Sequence, residues 1–153
     1  MSGERFTLDT NVLVYAADRR AGVKHDLAVD ILDRSVERDC VLTVQALGEF
    51  YAAVARKRLL AAAEAAELIR IWLRLFPTVA AGDAALLAAL RDAAAWRLAF
   101  WDAMLLATAR EAGCRTILSE DFQDGTTLGN VTVRNPFAGS SFPADVRDLL
   151  GLA

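Results

Sequence analysis

Short apolar runs that read as strands alternate along this chain with segments of helical length and spacing, and that alternation restricts the fold more than any other feature. Arg5 to Leu8, Cys40 to Leu42, Thr78 to Ala80, Arg115 to Leu118 and Asn130 to Arg134 are the predicted strands. Asn11 to Ala17 continues the first of them into one or two helical turns, and Lys24 to Arg38 carries Leu27, Ala28, Ile31, Leu32 and Ser35 at helical spacing. Thr43 is a suitable N-cap for a helix from about Val44 to Arg58, whose inner face would be Leu47, Phe50, Tyr51 and Val54. A helix from about Ala61 to Leu75 must stop before Pro77, because the residue preceding a proline avoids helical geometry. Gly82-Asp83 opens an alanine-rich helix to about Ala95, Trp101-Asp102 opens another that Gly113 stops, and a short helix fits Ala144 to Leu150. Strands joined through helices form a parallel sheet covered on both faces. The expectation is a three-layer α/β/α sandwich with a central, mostly parallel sheet, built as one domain over residues 1–153.

A chain of 153 residues buries enough apolar surface to need neither disulfides nor a structural metal. Cys40 and Cys114 lie far apart, each beside an apolar run and outside any Cys/His cluster, so both are read as reduced, buried thiols. The charged start Met1 to Arg5 leads into too short an apolar stretch for a signal peptide, so a cytoplasmic protein is expected. Hydrophobic residues make up 55% of the chain, but charges interrupt every stretch before it reaches bilayer length, and no membrane span is expected. A net charge of −3 excludes a globally basic protein that grips nucleic acid by phosphate neutralisation alone. It does not exclude a nuclease, since carboxylates that repel phosphate attract it once cations occupy them.

Acids mark the ends of these elements. Asp9 follows the first strand and Asp121 lies just past the strand ending at Leu118, so two strands deliver carboxylates to one rim of the sheet. In open α/β sheets that rim, at the carboxyl ends of the strands, is where ligands bind. Glu49 falls in the early turns of its helix and Asp102 in the first turn of the next, where the helix dipole favours the ionised form a metal needs. Each acid taken singly has an ordinary role: Asp102 as a helix-start charge, Asp121 as a turn residue, Asp9 as a cap or Asx-turn. Glu49 sits between Gly48 and Phe50 in an apolar segment, where an unpaired carboxylate is costly; Arg56 and Lys57 lie about two helical turns away, so a metal is the better partner.

Taken in order, Leu8-Asp9-Thr10-Asn11-Val12-Leu13, Gln45-Ala46-Leu47-Gly48-Glu49-Phe50, Phe100-Trp101-Asp102-Ala103-Met104-Leu105 and Leu118-Ser119-Glu120-Asp121-Phe122-Gln123-Asp124-Gly125 resemble the motifs of PIN-domain proteins, particularly VapC-type toxins. The resemblance spans nearly the whole chain. It implies a metal-dependent endoribonuclease in which Asp9, Glu49, Asp102 and Asp121 fill the four acidic positions. Thr10 and Ser119 would then orient ligands or metal-bound water and Asn11 would tie the loop of the first motif. Glu120, Asp121 and Asp124 share one turn, and the sequence alone does not decide which of them reaches a metal directly, the motif favouring Asp121, then Asp124, with Glu120 as a supporting residue. It further implies a homodimer and a small VapB-like antitoxin partner.

An all-oxygen donor set suits Mg²⁺ or Mn²⁺, one or two ions per site, whereas Zn²⁺ recruits His or Cys. The lone His25 lies outside the motifs and reads as a surface or packing residue, which argues against histidine-based RNA cleavage. The expected chemistry is in-line attack of activated water on an RNA phosphodiester, leaving a 5′-phosphate and a 3′-hydroxyl. Two basic clusters, Arg19, Arg20 and Lys24 after the first motif and Arg56, Lys57 and Arg58 after the second, are candidates to track the RNA backbone. Their ordinary reading is a charged loop and a complement to a helix dipole. The helix from Ala61 to Leu75 carries more apolar surface than one buried face needs, including Leu68, Ile69, Ile71, Trp72, Leu73 and Leu75, and is read as part of a protein interface.

Three other readings compete. A haloacid-dehalogenase type of phosphohydrolase would use Asp9 as nucleophile, but it needs a second Asp where this chain has Asn11. A PIN-fold RNA-processing nuclease would work without an antitoxin. A non-catalytic RNA- or protein-binding module would have no reason to gather mutually repelling carboxylates.

Overall fold

The computed structural model of the protein describes residues 3–152. Its elements run β1 (Phe6–Leu8), α1 (Thr10–Ala17), a 3-10 turn (Arg19–Ala21), α2 (Val23–Ser35), β2 (Leu42–Thr43), α3 (Val44–Arg56), α4 (Ala62–Leu75), β3 (Thr78–Val79), α5 (Asp83–Trp96), α6 (Phe100–Glu111), β4 (Thr116–Leu118), β5 (Thr127–Leu128), β6 (Val131–Arg134) and α7 (Ala144–Leu149). This is the α/β sandwich with a mostly parallel sheet that the sequence alternation calls for.

Backbone pairing places the strands β1-β4-β6-β5, with β1, β4 and β6 parallel and β5 antiparallel to β6. The pair β2-β3 stands on the other side of β1, tied to it by the bridge between Phe6 and Cys40 and by the Val41 N–H donating to the Phe6 carbonyl at 3.0 Å. Strand order therefore reverses between β1 and β4. That is the switch point at which α/β sheets open a crevice.

Alternate side chains of the strands serve two layers. Phe6, Leu8 and Leu118 pack with α1, α2, α3, α4 and α7 in the largest core. Ile117, Val131 and Val133 face Leu105 and Leu106 of α6 instead. The alanine content has its use in α5 and α6, which meet through Ala85, Ala89, Ala103 and Ala107, side chains small enough for close approach. On the first face Phe50 is fully buried and meets Trp72 edge-on, ring centroids 4.8 Å apart, joining α3 to α4. Truncating such an aromatic costs roughly 3–5 kcal/mol.

Local chemistry sets most helix ends. The Thr43 hydroxyl accepts from the Ala46 N–H at 3.0 Å and starts α3. Gly113, at φ 84°, closes α6: its N–H donates to the Arg110 carbonyl and that of Cys114 to the Ala109 carbonyl. That pair of bonds satisfies two of the last helical carbonyls. Phe76, just before Pro77, is extended and ends α4.

Several expectations need correction. The second strand is Leu42–Thr43, with Cys40 contributing only the isolated bridge. The second helix ends at Ser35, because the Glu37 and Arg38 amides turn back three residues to Arg34 and Ser35. Tyr51 is 42% exposed rather than on the inner face of α3, which consists of Ala46, Leu47, Phe50, Ala53 and Val54. The strand Thr127–Leu128 was not expected. Of the apolar excess on α4, Leu68, Ile69 and Trp72 pack inward while Leu73 and Leu75 remain exposed. Both cysteines are free and buried. Among the described residues, no helix is long and apolar enough to cross a membrane.

Candidate active site

The crevice between β1 and β4 is a cleft of about 340 Å³ whose lining includes Asp9, Glu49, Asp102 and Asp121. Four different elements bring them there. Asp9 caps α1 at the end of β1, Glu49 stands on α3, Asp102 lies in the first turn of α6, and Asp121 belongs to the turn after β4.

Asp9 is the buried member, 6% exposed. Its Oδ1 accepts from the Thr10 N–H at 2.7 Å and its Oδ2 from the Ser119 hydroxyl at 2.7 Å. Ser119, itself fully buried, is the hub of this end of the cleft. While donating to Asp9, its oxygen accepts from the Asn11 side-chain amide and from the Asp121 N–H, both at 3.1 Å. One hydroxyl thus uses its donor and both acceptor positions to hold the ends of β1 and β4 together. Burial pushes the Asp9 carboxyl up to about 6; the Ser119 and Thr10 bonds oppose that rise, and repulsion from Asp121 and Asp102 adds to it. Burial also raises Asp102, reinforced by Asp121 and Glu49.

The opposite wall is less enclosed. Gln45, one helical turn before Glu49, donates its side-chain amide both to Glu49 Oε1 at 2.6 Å and to the Trp101 carbonyl at 2.9 Å. It ties α3 to the start of α6 beside Asp102. Glu49 is exposed, so the desolvation reasoned from its apolar neighbours falls on Asp9 instead: α3 buries Phe50 and turns Gly48 and Glu49 outward.

The cleft is rich in acceptors and short of donors. Among the described residues none of the four acids forms an ion pair, although Arg56 and Lys57 also line the cleft. The side-chain oxygens of Asn11 and Gln45 are buried without a hydrogen-bond partner. A divalent cation with its water shell answers both deficits, so the donor set fits Mg²⁺ or Mn²⁺ by its chemistry. It is not a closed coordination sphere: among the described residues no three His, Cys, Asp or Glu side chains form a ready-made metal group.

The other predicted residues divide. Thr10, Asn11 and Glu120 line the cleft, the Thr10 hydroxyl reaching the Ala46 carbonyl at 3.5 Å. Glu120 takes the Tyr15 hydroxyl and Lys24, at 2.9 Å, on its two oxygens. Asp124 lies outside the cleft, its carboxylate accepting from the Asn135 N–H at 2.7 Å across the loop between β4 and β6. Arg56 and Lys57 line the cleft, but Arg58, in a left-handed turn at φ 56°, does not. Arg19 borders a separate groove with Leu60, Leu68 and Ile71, and Arg20 is exposed on the 3-10 turn, so neither joins the acids. His25 is away from the acids, its Nδ1 2.9 Å from the Tyr15 carbonyl. Two cleft residues were missed, Tyr15 and Gln45. Both sit one helical turn from a motif residue, Asn11 and Glu49, and that spacing was the available signal.

The PIN domain family matches residues 6–123. No protein of curated function matches the chain. Among solved structures, the fold is similar to VapBC2 from Rickettsia felis bound to a DNA fragment from their promoter, with a TM-score of 0.64, 12% identity, and coverage of 85% of this chain and 97% of that one. A toxin-antitoxin complex from Klebsiella pneumoniae matches at a TM-score of 0.58 and 16% identity over 82% of this chain and 94% of that one. The sarcin-ricin loop cleaving toxin VapC20 of Mycobacterium tuberculosis matches at 0.58 and 20% identity over 76% and 91%. At these identities the likeness is one of fold.

Proposed function

The chain belongs to the PIN-domain family, and from that membership we propose that it is a divalent-metal-dependent endoribonuclease acting as the toxin of a VapBC-type toxin–antitoxin pair. The observation that carries this reading is the cleft itself, where Asp9, Glu49, Asp102 and Asp121 meet and, among the described residues, none of them is ion-paired. Asp9, Glu49, Asp102 and Asp121 would hold Mg²⁺ or Mn²⁺, which when bound supplies Lewis acidity to the attacking water and charge relief to the leaving oxygen.

The chain's own residues account for the rest. Ser119 and the Thr10 amide orient Asp9, and Gln45 orients Glu49. Arg56 and Lys57, about two turns beyond Glu49 on α3, offer cations to RNA phosphates flanking the scissile bond. The cleft is open, and of the four acids only Asp9 is buried away from water while Glu49 and Asp121 stay exposed.

The antitoxin reading draws on similarity to VapBC complexes. It draws also on the groove between α1 and α4, where Ala16, Ala17, Leu60, Leu68 and Ile71 form an apolar floor edged by Arg19, Glu64 and Glu67, which suits an amphipathic helical segment. The exposed leucines of α5, Leu86, Leu87 and Leu90, offer a face for a homodimer.

The test is cleavage of structured RNA by the purified protein with Mn²⁺, with excess EDTA, and with Asp9→Asn. Cleavage only by the wild type with Mn²⁺ is expected. Cleavage that persists in EDTA or in the variant sinks the metal-nuclease reading. Growth arrest on expression, absent for Asp9→Asn, is the corresponding outcome for a toxin.

A further inference from the structure

Of the four acids, Asp121 has the least support from regular structure: it lies exposed in the turn after β4, held through its N–H by Ser119. Its neighbour Glu120 is far better anchored. The Tyr15 hydroxyl donates to Glu120 Oε1, and Lys24 Nζ reaches Oε2 at 2.9 Å. Lys24 Nζ also lies 3.4 Å from the Tyr15 hydroxyl and 5.1 Å from the centre of its ring. The ring in turn meets Phe137 edge-on at 5.0 Å, which fixes its direction. Three elements, α1, α2 and the turn after β4, thus converge on one carboxylate at the edge of the cleft.

We propose that Tyr15, Lys24 and Glu120 form a positioning clamp that sets the metal affinity of the site, fixing the turn that presents Asp121 and keeping Glu120 out of the ligand set. The inference rests on the metal-nuclease reading above. Glu120 is a fifth carboxylate in the cleft, and it differs from the other four in having its charge met by a lysine. A carboxylate held in this way carries its backbone with it, and the next residue is Asp121. Groups that orient metal ligands from behind commonly change affinity by one or two orders of magnitude when removed. The clamp acts through one neutral and one charged bond on a partly exposed acid, so its effect falls at the low end.

Tyr15→Phe tests this, since it removes the hydroxyl while keeping the ring against Phe137 and the charge of the cleft. Calorimetric titration of the metal-free protein with Mn²⁺ is expected to show affinity reduced roughly three- to tenfold. RNA cleavage at saturating Mn²⁺ should retain the wild-type KM. Glu120→Gln weakens Mn²⁺ binding as well, and Tyr15→Phe combined with Glu120→Gln should be no weaker than Glu120→Gln alone, because both changes release one contact. Unchanged Mn²⁺ affinity in Tyr15→Phe overturns the clamp, as does an additive double variant. A raised KM with unchanged Mn²⁺ affinity overturns it too, by placing Tyr15 on the RNA. Wild-type protein that binds no Mn²⁺ overturns the functional reading itself, a distinct result.

Discussion

Two buried aspartates, in different parts of the molecule, are treated in opposite ways. Asp92 of α5 is 4% exposed, and two guanidiniums meet it, Arg110 of α6 at 2.8 Å and Arg91 at 3.3 Å. Asp9, 6% exposed at the end of β1, receives only a hydroxyl and a backbone amide and lies near two further carboxylates. Burying an ion is expensive unless a partner offsets the lost hydration. In the α5–α6 layer the partner is part of the chain. In the cleft no described residue supplies one to Asp9, and the chain retains a desolvated acid that burial pushes up to about 6. A buried carboxylate supplied with its own cation is structural, whereas one left without it is what the proposed metal site requires.

The largest expected effect separates the two sites by function. Asp9→Asn keeps an acceptor for the Thr10 amide but removes the charge, and loss of a ligand should lower cleavage about a thousandfold or more, equivalent to roughly 4 kcal/mol of transition-state stabilisation. The same change should make the metal-free protein more stable at pH 7, because it removes an ionised group from a buried position. A variant that is both inactive and less stable in EDTA would count against the comparison, since Asp9 would then be structural too.

At the other site the effect should lie in stability. Arg110→Met leaves Asp92 with Arg91, whose side chain is 70% exposed, and should destabilise the fold by about 3–5 kcal/mol in denaturant titration. Arg110→Met combined with Asp92→Leu should recover most of that loss, because an apolar pair needs no counter-charge. Cleavage per folded molecule should stay at the wild-type level in both. A loss of cleavage in well-folded protein would mean that the α5–α6 layer reaches into the cleft.

The contrast between these aspartates was only partly legible in the sequence. Helix limits could be read because they depend on local chemistry: Thr43 as a cap, Gly113 as a left-handed stop, Pro77 as a barrier. The acids could be gathered to one rim because Asp9 and Asp121 follow strands, Asp102 begins a helix and Glu49 lies in the second turn of one. Burial could not be read so directly. The apolar neighbours of Glu49 suggested desolvation, yet successive helical residues point about 100° apart, so Phe50 is buried while Glu49 faces outward. Asp9 gave no such hint, because the side chain that holds its carboxylate, Ser119, lies 110 residues away in sequence. The partners of Asp92 lie one position before it and eighteen positions after it, the second on another helix. The strand Thr127–Leu128 was missed because it is two residues long, although Gly129-Asn130 between it and β6 is a hairpin signal.

A titration of stability sharpens the comparison further. The folded Asp9 carboxyl, raised to about 6 from an ordinary value of 3.8, takes up its proton more readily than the unfolded chain does. Between those values the native state binds more protons, so this group makes metal-free protein more stable as the pH falls from 7 toward 4, by roughly 3 kcal/mol at most. Raising the pH through 6 removes that contribution, and Mn²⁺ should restore stability at pH 7. Denaturant unfolding in EDTA at pH 7, 6 and 5, with Asp9→Asn as reference, isolates the group. If wild type and variant show the same pH dependence, Asp9 is not desolvated in solution.

The smallest effect concerns the hub that ties Asp9 to its surroundings. Ser119→Ala removes the hydroxyl that donates to Asp9 and accepts from the Asn11 amide and the Asp121 N–H, without changing the charge of the cleft. Mn²⁺ affinity should fall about 10- to 100-fold, with cleavage largely recovered at high Mn²⁺ concentration, because the ligands remain and only their orientation is lost. Loss of the hydrogen bond should raise the Asp9 pKa further, extending the acid-side stabilisation to higher pH, since the Ser119 bond is the largest influence opposing burial. Asp92 has no comparable intermediary, because its guanidiniums contact it directly. If Ser119→Ala left both Mn²⁺ affinity and the Asp9 titration unchanged, the hydroxyl would be filling space rather than holding the acid. The distinction between a prepaired carboxylate and a poised one would then rest on burial alone.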